Sequence, residues 1–101
     1  MEIAELEGKK VVLTNHALCQ FSDRYAQLNE DQAPLEPIRV IATLFKEADE
    51  KKLSKMARLK RLLNNRGVDA RYFIFKNWRF VLVENDESFS VVTIERNKFA
   101  A

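Results

Sequence analysis

His16 is the only histidine of this 101-residue chain, and Cys19 is its only cysteine. An imidazole takes up and releases a proton near neutral pH, so His16 is the natural candidate for a general acid or base. Cys19, three residues further along and close to an apolar stripe, reads as a small packing residue rather than a thiolate nucleophile. One cysteine makes no internal disulfide and no cysteine-based zinc cage, which suits a reducing cytoplasm. One histidine leaves any metal to carboxylates, and the sequence has no spaced Asp/Glu loop of the calcium-binding kind. Neither a metal nor a cofactor is therefore expected. The chain also lacks a Gly-rich phosphate loop, a Ser nucleophile elbow and a recognisable Cys–His motif, so kinase, nucleotide-hydrolase and oxidoreductase chemistry drop out. What one histidine, several arginines, a tyrosine and a threonine can do without metal is bind or cleave RNA. RNA brings its own nucleophile, the 2′-hydroxyl. A protein then needs only to remove that proton, protonate the leaving oxygen and stabilise the charged phosphorane.

The charge pattern suits such a partner. Residues 1–50 hold five Lys/Arg against ten Asp/Glu, while residues 51–101 hold twelve against five, so a net charge of +2 hides two halves of opposite sign. Between Lys51 and Arg79 stand ten basic residues and one acid, Asp69. Lys51, Lys55, Arg58, Arg61 and Arg79 are the candidate nucleic-acid contacts in this block. It reads as a surface that attracts phosphates, as one that docks on an acidic protein, or as a solvated helix face balanced by the acidic half of the same molecule.

The elements that must position these residues follow from periodicity. Residues 1–7 read as an acidic N-terminal tail and residues 8–98 as a single α+β domain, with no repeat or linker. Lys9–Thr14, β-branched and preceded by Gly8, is a first strand. Thr14 or Asn15 can cap a helix running from His16 to about Leu28, with Leu18, Phe21, Tyr25 and Leu28 in one stripe and His16, Gln20, Asp23, Arg24 and Gln27 on the other side. Residues 29–37 form a loop. A second helix starts near Glu36 or Pro37 and buries Ile38, Ile41, Ala42, Phe45 and Ala48. After a break or bend at residues 49–52, Leu53, Met56, Leu59 and Leu63 mark a third helix that Gly67 closes. Three strands then meander over about 69–75, 78–84 and 89–95, with a two-residue turn at Lys76-Asn77 that sets Phe75 opposite Trp78, Phe73 opposite Phe80 and Arg71 opposite Leu82. The expected order is β-α-α-α-β-β-β, three helices packed on one face of a four-stranded antiparallel sheet. Phe45, Phe73, Phe75, Phe80 and Leu82 should be buried. The other sheet face, with Tyr72, Ile74, Arg79, Val81 and Val83, is apolar enough to form a homodimer interface or a ligand floor.

A first strand running straight into Thr14-Asn-His-Ala17, Arg24 eight residues after His16, Arg71-Tyr72 on a later strand, and a last strand reading Val91-Val-Thr-Ile-Glu-Arg96 together resemble a group of small bacterial and phage proteins. That group is similar to the broad barnase/colicin/RelE-like ribonuclease-toxin superfamily. The resemblance spans most of residues 9–96 through short motifs. It implies helices followed by a four-stranded antiparallel sheet, and a site built from His16, Arg24, Arg71, Tyr72 and Thr93, with His16 carrying the proton and Arg24 and Arg71 on the scissile phosphate. Each of these residues has a plainer reading. His16 suits a helix cap or a solvated position, Arg24 a surface pair with Asp23 or Glu30, Tyr72 packing and Thr93 an ordinary strand. Trp78 and Phe80 could stack on bases, but they share a face with Phe73 and Phe75 and read as core.

No apolar run approaches the ~20 residues that span a bilayer, and the acidic start of the chain is unlike a secretory signal, so a cytoplasmic protein without membrane contact is expected. The functional expectation is a small nucleic-acid-interacting protein, a metal-independent ribonuclease of the toxin type. The alternative is a non-catalytic interaction or regulatory module of phage or mobile-element type, whose basic third helix binds a protein such as an acidic antitoxin.

Overall fold

A computed structural model describes residues 1–28, 36–52, 54–64 and 69–96, without the side chains of Leu28, Arg61 and Asn64. The chain enters a strand at once. β1 (Glu2–Leu6) and β2 (Lys9–Leu13) form an antiparallel hairpin that turns on Glu7-Gly8, with φ of 53° and 80°. A type I′ hairpin turn, which matches the natural strand twist, needs this left-handed backbone at both positions, and Gly8 adopts it without steric cost. Residues 2–6, expected as an acidic tail, are thus an edge strand. Ile3 is buried in the core, and Glu2 and Glu5 are exposed.

Thr14 ends β2 and caps α1 (Asn15–Leu28). Its hydroxyl accepts the Ala17 N–H at 3.2 Å and donates to the Val91 carbonyl at 2.7 Å, so one side chain starts the helix and ties that start to the last strand. α2 (Pro37–Glu47) begins with proline in the first turn, where its missing N–H goes unneeded, and buries Ile41 and Phe45. The charged residues after it form a three-residue strand, β3 (Asp49–Lys51). α3 (Lys55–Asn64) is started by Ser54, whose hydroxyl accepts the Ala57 N–H at 3.2 Å. β4 (Arg71–Phe75), β5 (Trp78–Glu84) and β6 (Ser88–Arg96) complete the fold in the expected meander. The β4–β5 register pairs Phe75 with Trp78, Phe73 with Phe80 and Arg71 with Leu82, as the turn at Lys76-Asn77 requires. The loop expected over residues 29–37 falls mostly outside the described residues, as do Leu53 and Gly67.

The α+β class holds, while the sheet differs from the expected four antiparallel strands. It has six strands in the order β1-β2-β6-β5-β4-β3, and β2 runs parallel to β6. That register sets Val11 beside Phe89 and Leu13 beside Val91, four residues that are at most 2% exposed, so the parallel pairing buries the apolar residues of both strands on one face. β1 and β3, both charged and short, are the edges, and their acidic residues discourage pairing with another chain.

α1 packs on β6, and α2 packs on β1 and β4. Between them and the sheet lie Phe21, Ile41, Phe80, Leu82, Phe89, Val91 and Ile94, all fully buried. Phe21 lies 4.7 Å from Trp78, and Phe45 meets Phe80 edge-on at 84°. Phe45, Phe73, Phe80 and Leu82 are buried as expected, but Phe75 is only half-buried, at the turn end of its hairpin under the Lys76 ammonium. Cys19, expected in the packing, is exposed on α1. α3 departs furthest from expectation. It packs only marginally on any other described element, and the apolar stripe that should face a core lies in water. No helix among the described residues is long and apolar enough to cross a membrane.

Candidate functional site

The fold divides the expected site residues between two places. The first is an open cleft of about 320 Å³ between β3, β4 and α3, lined by Lys51, Lys52, Arg58, Arg71 and Tyr72 against Glu50 and Asp69. Arg58 is paired with Asp69. Arg71 is held more firmly: its Nε and a terminal nitrogen donate to the two Glu50 oxygens at 2.7 and 2.8 Å, and its other terminal nitrogen donates to Glu7. The guanidinium also stacks 5.4 Å over Phe89 and 5.6 Å over Phe73. Glu50 belongs to one edge strand and Glu7 to the turn of the hairpin at the opposite edge, so the sheet curls around its core and Arg71 clasps the two sides. A guanidinium with bidentate carboxylate partners meets an incoming phosphate with its donors already engaged. The hydrogen bonds that Arg71 donates, to Glu50 first and then to Glu7, hold it protonated beyond its ordinary range.

The hydrogen bond from Arg71 holds the Glu50 carboxyl below its ordinary value of 4.5. A carboxylate whose pKa is depressed by folding adds stability that is present above the unfolded value and lost as pH falls through the folded one. Denaturant midpoints measured from pH 7 down to pH 2 should therefore fall below about pH 4.5, and the fall should be shallower in Glu50→Gln. An identical acid limb in that variant would show that Glu50 gains nothing from Arg71.

Tyr72 follows Arg71 in β4, so the two side chains point to opposite faces of the sheet. Tyr72 lies on the face away from α1 and α2, 4% exposed, with the Arg79 guanidinium 5.5 Å above its ring. Arg79 in turn donates through Nε to Glu95 at 2.8 Å. Thr93 stands on this same face, level with Val81 and Tyr72 across three neighbouring strands. Tyr72 and Val81 are buried, Ile74 and Val83 half-buried, and the paired Arg79 and Glu95 cover part of what the sequence suggested as an apolar dimer surface.

The second place is the rim where α1 runs along β6. β2 stops at Leu13, which leaves the far half of β6 without a neighbouring strand on that side, and Gln20 supplies the missing acceptor by taking the Ile94 N–H at 3.1 Å. His16, Gln20 and Arg24 follow one another at four-residue steps, so they form one helix stripe along this rim. Sequence periodicity assigned that stripe to open solvent. His16 is indeed exposed at the first turn, whereas Gln20 and Arg24 are half-buried. The Arg24 Nε is buried without a hydrogen-bond partner among the described residues.

The structure thus groups His16, Arg24 and β6 at one rim, with Thr93 on the outer face of that strand, and Arg71 and Tyr72 with Lys51, Lys52 and Arg58 at another place. β4 and β6 are separated by β5, about 10 Å from strand to strand. Lys51, Lys55 and Arg58 are exposed near the cleft or on α3, Arg79 is turned to the outer sheet face, and Arg61 lies within α3 with its side chain outside the description. No cluster of three or more His, Cys, Asp or Glu able to hold a metal ion occurs among the described residues.

The most distinctive surface was misread in the sequence as core. Met56 is 69%, Leu59 52% and Leu63 74% exposed, all on one face of α3. Lys55 and Lys60 border this stripe and are exposed. A signal was present in the sequence around the stripe, where Lys51, Lys52, Lys55, Arg58, Lys60 and Arg61 crowd it with like charge. Comparison with family models, with curated proteins and with solved structures finds no match.

Proposed function

We propose that this chain is a protein-docking module and that α3 is its recognition element. The carrying observation is the exposure of Met56, Leu59 and Leu63 on a helix edged by lysines. Scattered apolar side chains are normal on a surface, but three large ones aligned on one helix face are the usual mark of a partner site. The state of Arg71 supports the same reading, because the cation that a phosphate-binding site would use is occupied by Glu50 and Glu7.

If the stripe serves binding rather than folding, replacing it should leave the free chain intact. Met56→Lys, Leu59→Lys and Leu63→Lys combined should change the unfolding free energy by less than about 1 kcal/mol, since substitutions at exposed positions rarely do more. A loss of about 3 kcal/mol or more would place these side chains in a packed interface of the folded monomer and end the docking reading.

One observation favours a second reading, the metal-independent ribonuclease. Arg24 keeps a buried, unpartnered Nε on the same helix stripe as His16, two turns or about 12 Å along the axis, and a phosphate held there would bring a cation and a proton carrier to one strand of RNA. Labelled RNA incubated with the chain in EDTA separates the two readings. Docking predicts intact RNA. Cleavage that disappears in both His16→Ala and Arg24→Ala, with folding preserved, would establish the nuclease instead.

A further inference from the structure

We infer that α3 offers half of a coiled-coil seam and that its partner is an acidic amphipathic helix of another protein; this rests on the docking role proposed for α3. Met56, Leu59 and Leu63 are separated by three and then four residues, which is the a-d-a spacing of a heptad. In that register Lys55 falls at g and Lys60 at e, the positions that flank the seam and choose the partner by charge. Both are exposed, and among the described residues neither has an ion-pair partner. Arg58 lies away from the seam and is already joined to Asp69, which fixes the helix to the start of β4 rather than to the stripe.

The flanking charges decide between occupants. A second copy of α3 in parallel would set Lys55 against Lys60, and an antiparallel copy would set Lys55 against Lys55 and Lys60 against Lys60. Either orientation brings the like charges of Lys55 and Lys60 together, which disfavours self-pairing through this face. A helix with apolar residues at a and d and glutamates at e and g answers both the stripe and the lysines. An extended strand has no such match, because side chains repeating every two residues do not follow a ridge that repeats every three and four. The stripe from Met56 to Leu63 is only about 10 Å long, so the contact is small and calls for the modest affinity of a regulated, reversible complex.

The probes are two synthetic helical peptides of about three heptads, with leucine at a and d and either glutamate or lysine at e and g. Titrated into the intact chain at low salt, the glutamate peptide should bind at least tenfold more tightly than the lysine peptide, and its affinity should fall as salt rises. Leu59→Lys should weaken the glutamate peptide at least tenfold with the chain still folded. Lys55→Glu combined with Lys60→Glu should invert the preference, an outcome that a merely sticky stripe would not give. Equal binding of the two peptides, binding of neither, tighter association with phosphatidylserine vesicles, or self-association of the chain through α3 would each overturn the inference. If the glutamate peptide fails while the triple lysine variant stays as stable as the natural chain, the docking surface stands and the acidic-helix partner falls. If the triple variant unfolds, the docking reading itself is gone.

Discussion

Phe80→Ala should lower the unfolding free energy by about 3–5 kcal/mol, a large share of the whole stability of a domain this size. Phe80 stands at the centre of β5, fully buried, with β4 and β6 on either side and the Phe45 ring nearly perpendicular to its own, 5.6 Å away. Truncation removes the transfer energy of the ring and leaves a void that six curled strands and two packed helices cannot close. Chemical denaturation of the variant against the natural chain measures the cost. A loss under about 1.5 kcal/mol would mean that this core is loosely packed, and the inward curl of the sheet around it would then be wrong.

Arg71→Ala should cost about 1–3 kcal/mol, between the values for exposed and buried ion pairs. The side chains of Arg71 and Glu50 are each 28% exposed, and Glu7 is 59% exposed, so most of the loss comes from Glu50. Removing the cation leaves two carboxylates on approaching sides of the curl without the charge that joins them. The destabilisation should shrink when Arg71→Ala is made in a Glu50→Gln background, and the difference is the coupling between the two residues. An arginine kept for a phosphate would behave differently, since its removal would leave stability unchanged or raise it. That result would return Arg71 to a binding site and weaken the docking account.

The two predictions mark how far the sequence could be read. Phe73, Phe80 and Leu82 were legible as core because alternation in β4 and β5, together with a two-residue turn, leaves one possible register. The capping role of Thr14 was legible for a similar reason, as a short polar side chain between a strand and an apolar helix stripe. Glu2–Leu6 was not, because a strand that exposes its glutamates and buries Ile3 resembles a charged tail until its partner is known. Nor was the parallel pairing of β2 with β6, a contact between residues more than seventy positions apart that no local pattern encodes. The candidate site suffered most. Arg71 and Tyr72 line one cleft, but β5 stands between their strand and the rim that holds His16 and Arg24, while Gln20 satisfies a backbone N–H that only the end of β2 leaves open. α3 was legible as an amphipathic helix, but periodicity states that a face is apolar and not what covers it.

The docking role of α3 is tested most directly by nuclear magnetic resonance of the isotope-labelled chain, with backbone amide shifts followed during titration with the glutamate heptad peptide and, separately, with a single-stranded RNA oligomer. The peptide should shift the amides of residues 55–64 in a saturable way and leave those around His16, Arg24 and Tyr72 in place, while the RNA moves none of them strongly at physiological salt. Saturable shifts at His16 and Arg24 with RNA, and an undisturbed α3 with peptide, would contradict the account and make the rim of α1 and β6 the working site of this protein.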